Sequence, residues 1–279
     1  MTVLVFGASS QVGHYLLPLL SARDEPVVAL SRLPHEDSAG VTWMTGSLPG
    51  EVPAVPSVSA IFSFGPLSLL AAWLSRADLP HAPRIIATSS MSAESKRASD
   101  VPAERELAQS LRDSEAMLAA ACSRHGSDWT VLRPTLVYGA GLDKSLTPIA
   151  QRAMRTRLFP LPAGRGLRQP VHAQDLARAA LAACDTAAAA MKILAIGGGE
   201  RLPARDMFAR VRRSLPVDTV PLPLPAWSLR LARRGVPGLR GPLGRLEVDL
   251  IADNAEMTRL LGIQPRPFRP DADCWRAPA

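Results

Sequence analysis

Short apolar runs separated by polar turns dominate the first half of the chain. TVLVF at 2–6, VVAL at 27–30, VTWM at 41–44, SAIFSF at 59–64, RIIATSS at 84–90 and WTVLRP at 129–134 are rich in β-branched and other apolar side chains. Runs of that length, with no strict alternation, fit strands buried on both faces. Helical patterns lie between several of them. From Gln11 to Leu20 apolar residues recur at helical spacing, and Pro18 is expected to kink or shorten that helix. From Ala103 to Arg124 strong helix formers prevail, with Leu107, Leu111, Leu118 and Cys122 marking much of one face. The alternation predicts an α/β fold, a doubly wound and mainly parallel Rossmann-like sheet with helices on both sides.

After Gly139 the pattern loosens. It predicts a helix over Thr147–Thr156, a Pro/Gly-rich loop (FPLPAGRGLRQP), a helix after Asp175 and a strand over Lys192–Ile196. Asp175 is placed as the N-cap of its helix, a role worth about 1 kcal/mol, with His172 packed nearby. GGGE then marks a boundary, and the composition shifts to proline and arginine before a last helical patch at Ala255–Leu261. The expected organisation is a dinucleotide-binding core over 1–198, with 140–170 contributing to a substrate lobe, and a smaller C-terminal lobe over 199–279.

Composition bounds the class. With 279 residues, 47% hydrophobic and 20% charged, the chain can bury a sizeable core, and disorder is excluded for most of it. No apolar run approaches the roughly 18–20 residues needed to cross a bilayer, and the start lacks a basic region followed by a small-residue cleavage site. Three scattered cysteines, Cys122, Cys184 and Cys274, argue against a disulfide framework and a zinc site, and a cytoplasmic location is predicted. The five histidines show no ligand spacing, so no metal is expected.

The net charge of +7 is concentrated: residues 201–245 carry ten arginines against Asp206 and Asp218. Within it, Trp227, Leu229 and Leu231 stand among Arg230, Arg233 and Arg234. Such a stretch, centred on 226–245, suits either a membrane surface or anionic partner, or a lobe helix with solvated arginines. A nucleic-acid partner is not expected, because no binding module accompanies the charge. Lys96, Lys144 and Lys192 are the only lysines.

The first strand runs straight into GASSQVG, which sets Gly7 and Gly13 six residues apart at a strand-to-helix junction, with Ser10 midway. In a dinucleotide fingerprint the first glycine permits the tight turn and the last allows close helix-to-strand packing, while the helix N-terminus faces the pyrophosphate. Ser9, Ser10, Gln11 and Val12 complete the loop, the first three adding side-chain polar groups. The second strand ends in Ser31 and Arg32, with no acid before Glu36. An acid there would hold the ribose 2'-hydroxyl, whereas a guanidinium accepts a 2'-phosphate. NADP(H) is therefore favoured over NAD(H), the alternative being that Arg32 is a solvated strand-end charge.

These motifs, together with TSSMS at 88–92, TVLRPTLVYG at 130–139, QPVHAQDLARA at 169–179 and IGGGERLPARDMF at 196–208, resemble the short-chain dehydrogenase/reductase superfamily, in particular its extended branch of NAD-dependent epimerases and dehydratases. The resemblance implies that Gly7 to Gly13 cradle the pyrophosphate. It also implies that Ser47 and Leu48 lie beside the adenine, that Phe64, Gly65 and Pro66 follow the cofactor, and that Pro134 to Leu136 lie near the nicotinamide. Ser89 or Ser90 matches the family's active-site hydroxyl. A small-molecule substrate is implied, and a homo-oligomer through a two-helix contact is a family expectation.

Family catalysis rests on a Tyr-x-x-x-Lys pair that exchanges a proton while hydride moves. This chain has only Tyr15 and Tyr138, followed four residues on by Leu19 and Leu142. Glu115 resembles the family glutamate four residues past the lysine, which places Leu107 and Leu111 at the two catalytic positions. Ordinary epimerase or dehydratase chemistry is thus not expected. Two readings remain: an atypical reductase whose proton comes from Ser90, another side chain or water, and a non-catalytic dinucleotide-binding redox sensor or accessory subunit. Arg165 and Arg168 stand ready for a phosphate or carboxylate or else belong to a solvated loop, and the Ser92/Lys96 spacing is read as a loop coincidence.

Overall fold

Residues inside the inner apolar runs divide their side chains between two cores. The computed structural model describes residues 2–278 except Asp24, Val55, Pro56, Pro80, Ala226 and 228–245. In β1 (Thr2–Phe6), Val3 and Val5 enter one hydrophobic cluster while Leu4 and Phe6 enter another. Period-two alternation on a strand covered from both sides makes both faces apolar. β1 shares this logic with β2 (Val27–Ser31), β4 (Val58–Ser63), β5 (Arg84–Thr88) and β6 (Trp129–Pro134), whereas the edge strands β3 (Val41–Thr45) and Lys192–Ile196 contribute to the first cluster alone. They pair in parallel in the order Lys192–Ile196, β6, β5, β4, β1, β2, β3. The fold is the expected Rossmann-like α/β sheet, whose strand order reverses between β1 and β4.

On one face, α1 (Gln11–Ser21) supplies Val12, Leu16 and Leu20, and a helix at Ala173–Asp185 supplies Leu176, Ala177 and Ala180. On the other lie α2 (Leu67–Leu74) and α4 (Pro102–His125), which pack through Leu70, Leu74, Leu118 and Cys122. A short turn of helix, α3 (Ser92–Ser95), precedes α4. Pro18 does not shorten α1, which runs on to Ser21. Leu107 is 43% exposed and does not continue the buried stripe of Leu118 and Cys122. Val101 precedes α4 without a side-chain cap, Pro102 opens it and Gly126 closes it in the left-handed region, the favoured proline and glycine positions.

The second half departs more from expectation. The presumed loop FPLPAGRGLRQP contains strand residues: β8 (Leu158–Pro162) and β9 (Leu167–Arg168), with β7 (Val137–Tyr138) before them and β10 (Val171–His172) at their end. Strand β11 is the Lys192–Ile196 member of the main sheet, β12 is Leu202–Pro203, and β13 (Val220–Leu224, VPLPL) pairs in parallel with β8. Prolines at alternate positions in both strands are tolerated in a two-stranded ribbon, where every second N–H has no ladder partner to lose. Helices α5 (Thr147–Thr156), α7 (Ala204–Arg213) and α8 (Ala255–Leu261) complete the described elements, with Ala173–Asp185 as α6. A third cluster joins Tyr138, Ala150, Phe159, Met207, Phe208, Phe268 and Trp275. No described helix is long and apolar enough to cross a membrane. The arginine-rich 228–245 lies outside the described residues.

Asp175 is not an N-cap. That place belongs to His172, whose Nδ1 accepts the Gln174 N–H at 3.1 Å. Asp175 lies inside the first turn of α6, 1% exposed, and its carboxylate accepts hydrogen bonds from the backbone N–H, Nε and Nη2 of Arg266 at 2.9 to 3.1 Å.

Candidate active-site cleft

The loop between β1 and α1 is built as its glycines require. Gly7 has φ +70°, and a Cβ there would meet the Phe64 carbonyl carbon at 3.3 Å. At Gly13 a Cβ would stand 2.2 Å from the Ala8 carbonyl oxygen, so the helix reaches the strand end only because that side chain is absent. Ser10, at the midpoint, is the helix N-cap: its Oγ accepts the Gly13 N–H at 3.2 Å. The first N–H groups and the positive end of α1 face the cleft.

A cleft of about 1740 Å³ opens over the C-terminal ends of the central strands. Of the sequence-predicted residues, Gly7, Ser9, Ser10, Gln11, Val12, Arg32, Ser47, Leu48, Phe64, Gly65, Pro66, Ser89, Ser90, Pro134 and Leu136 all line it. Gly13 does not, because its part is packing against Ala8. Buried within these walls, Gln11 Oε1 and Ser89 Oγ have no hydrogen-bond partner in the protein. The residues suit a dinucleotide: a positive-φ glycine, a second glycine against the strand, a helix N-terminus and unspent polar atoms stand in one groove.

Beyond that half, the cleft continues to Asp143, Lys144, Arg168, Met207, Phe208 and Leu246 to Leu250. Arg168 is 5% exposed, and its Nη1 donates to the carbonyls of Leu167 and Val248 at 2.7 Å each. Burial lowers its pKa, with Asp249 and Glu247 acting in the opposite sense. Arg165 is exposed and is not among the residues lining the cleft. Among the described residues no group of His, Cys, Asp and Glu could hold a metal ion.

Lys96 meets a partner other than Ser92. It lies on the cleft wall, its Nζ 3.7 Å from Glu104 Oε1, and both side chains are 13% exposed. Ser99 Oγ donates to the other Glu104 oxygen at 2.7 Å. Sequence spacing missed the pair because Lys96 follows α3 while Glu104 is on the first turn of α4, and the turn between them determines the approach. Glu115 is held by Arg133 through Nε at 2.8 Å and Nη2 at 2.5 Å, and raises that guanidinium's pKa. It ties α4 to β6.

Beneath the cleft, His172 is packed between Tyr15 and Tyr138, with ring centroids 5.3 and 5.1 Å away. Burial, then the nearby Arg266 charge, pushes its pKa down to about 4. Tyr15 donates its hydroxyl to the Gly139 carbonyl at 2.8 Å, and Tyr138 is fully buried. Neither tyrosine lines the cleft.

A parallel sheet with a glycine loop after its first strand and a cleft at the strand ends defines a Rossmann-like nucleotide-binding fold. Residues 69–197 match the model of the NAD dependent epimerase/dehydratase family. No curated protein matches it. Solved structures share the fold over nearly their whole length. MoeE5 in complex with UDP-glucuronic acid and NAD superposes with a TM-score of 0.71 at 18% identity, covering 96% of this chain and 94% of that one. UDP-glucose 4-epimerase from Thermotoga maritima, bound to UDP-glucose, gives 0.70 at 16%, covering 95% and 94%. The Bordetella bronchiseptica enzyme WbmH with NAD+ gives 0.70 at 16%, covering 98% and 96%. At such identities the likeness is one of fold.

Proposed function

We propose that the chain is an NADP(H)-binding atypical short-chain dehydrogenase/reductase that reduces a small-molecule acceptor without the usual tyrosine and lysine. The observation that carries this reading is the continuous cleft of about 1740 Å³. It exceeds the roughly 300–1,000 Å³ typical of a pocket for one small ligand, which leaves room for a second molecule beside a dinucleotide. Similar structures that hold NAD, some together with a UDP-sugar, support a dinucleotide and a second small molecule here. In this scheme residues 1–198 hold the cofactor, and 140–170 with 199–279 form the substrate side.

Bound there, the reduced nicotinamide would supply a hydride. The chain's own residues have three tasks. Gly7 to Gly13 and the start of α1 take the pyrophosphate, and Arg32, on the cleft wall beside Ser31, takes the 2'-phosphate. Lys96, aligned by Glu104, gives a proton to the acceptor oxygen and regains it from solvent, with the Ser90 hydroxyl as a relay. Arg168 holds an anionic or polar group of the acceptor.

Anaerobic titration with NADPH and NADH, followed by a panel of carbonyl and quinone acceptors, tests the reading. Tighter binding of NADPH and its oxidation by one acceptor are expected, with kcat lowered about 100- to 10,000-fold in Lys96→Met. Leu107 and Leu111 at the catalytic positions favour a second reading, a redox sensor or accessory subunit that binds without turnover. Binding of NADPH with no oxidation across the panel would support that reading instead, and failure to bind either cofactor would overturn both.

A further inference from the structure

We infer that His35 is a positioning residue for cofactor choice: it fixes the Ser31 hydroxyl so that this end of the cleft presents donors to a 2'-phosphate. The inference rests on the NADP(H) reading above. Ser31 closes β2, is 7% exposed and lines the cleft beside Arg32. Its Oγ accepts the Leu33 N–H at 3.2 Å and lies 3.1 Å from His35 Nε2. The His35 ring is stacked on Trp43, with centroids 4.2 Å apart and planes 28° from parallel. Trp43 is itself fixed by register, opposite Ala29 in the β2–β3 pairing.

The loop that carries Arg32 is thereby folded back on β3 at two points. One is the His35–Trp43 stack, and the other is the Trp43 N–H, which donates to Asp37 Oδ1 at 2.7 Å. Both have consequences at the ribose. A hydroxyl oxygen accepts at most two hydrogen bonds and donates one. With the proton on His35 Nε2, both acceptor sites of Ser31 Oγ are taken, and its own proton must go to another acceptor. The cleft side is where an acceptor-rich phosphate would stand. Asp37, the carboxylate in this loop that accepts from β3, does not line the cleft, whereas Ser31 and Arg32 do. A pinned loop also spends less ordering entropy when Arg32 engages a ligand. A hydroxyl with its proton to spare and a guanidinium on the cleft wall, with no lining carboxylate beside them, is the arrangement that would separate a phosphate from a hydroxyl.

The test titrates the intact protein with adenosine 2',5'-diphosphate and with 5'-AMP, which differ only in the 2'-phosphate. His35→Phe keeps an aromatic ring for the stack on Trp43 and removes the nitrogen, whereas His35→Gln restores a donor. The wild type is expected to favour the diphosphate at least tenfold. In His35→Phe the diphosphate should bind about tenfold more weakly, the size of one hydrogen bond to a charged group, with 5'-AMP unchanged and part of the loss recovered in His35→Gln. A His35→Phe protein that keeps the wild-type ratio, or that weakens both ligands equally, would overturn the inference while leaving the NADP(H) reading intact. A wild type that does not discriminate between the two ligands would overturn that reading, and the inference with it.

Discussion

Arg266 wraps the carboxylate of Asp175, ninety-one residues before it, with its backbone N–H, Nε and Nη2. The contact fastens the C-terminal segment to the first turn of α6. Its two ends differ in exposure: Asp175 is 1% exposed and the Arg266 side chain 41%. Removing the arginine side chain leaves a carboxylate in the interior, whereas removing the carboxylate leaves a guanidinium that water can reach. Arg266→Met should therefore cost about 3–5 kcal/mol of unfolding free energy, and Asp175→Asn less, about 1.5–3 kcal/mol. Urea denaturation of both variants checks the order, and equal losses would refute it.

The same reasoning separates two partners of one arginine. Arg133 Nη1 meets Glu94 at 2.7 Å and its Nη2 meets Glu115 at 2.5 Å, yet Glu94 is 45% exposed and Glu115 only 3%. Glu94→Ala should change stability by no more than about 1 kcal/mol. Glu115→Ala leaves Arg133 short of its buried partner and should cost about 3 kcal/mol or more. Thermal unfolding of the two variants under one buffer makes the comparison.

His172 makes stability depend on pH. Its pKa is lowered to about 4, by burial first and Arg266 second, from an ordinary value of 6.5. Below pH 6.5 the unfolded chain binds a proton that the folded chain refuses, so stability falls as pH drops from about 6.5 to 4 and is complete above that window. The loss across that window is on the order of 3 kcal/mol. His172→Phe should be less stable at pH 7, having lost the cap to Gln174, but should show a flatter decline between pH 6.5 and 4. Urea midpoints measured across that range would expose an unchanged slope.

Two glycines on the cleft's cofactor side should respond differently. A Cβ at Gly13 meets the Ala8 carbonyl at 2.2 Å, and one at Gly65 meets nothing within 4 Å. Gly13→Ala should push α1 from β1, costing about 1–3 kcal/mol and weakening NADPH binding at least tenfold, while Gly65→Ala leaves stability unchanged. Calorimetric titration and melting temperatures report both.

Much of this protein was determined by local pattern. The short apolar runs and the GASSQVG junction specify a parallel sheet with a glycine turn, because burial on both faces and close helix approach leave few alternatives at those positions. That neither Tyr15 nor Tyr138 has a lysine four residues on follows from letters alone. Tertiary structure decided what depends on distant segments meeting. The neighbours of Asp175 predict a cap, but Arg266 claims it and His172 takes the cap. The prolines and glycines of FPLPAGRGLRQP predict a loop, but VPLPL supplies the partner that makes its first part a strand. Lys96 found Glu104, and His35 found Trp43 and Ser31, only through turns whose course no periodicity records. Backbone propensity and hydrophobic period act over a few residues, whereas a site is an intersection of loops, and its geometry is set by the packing beneath them.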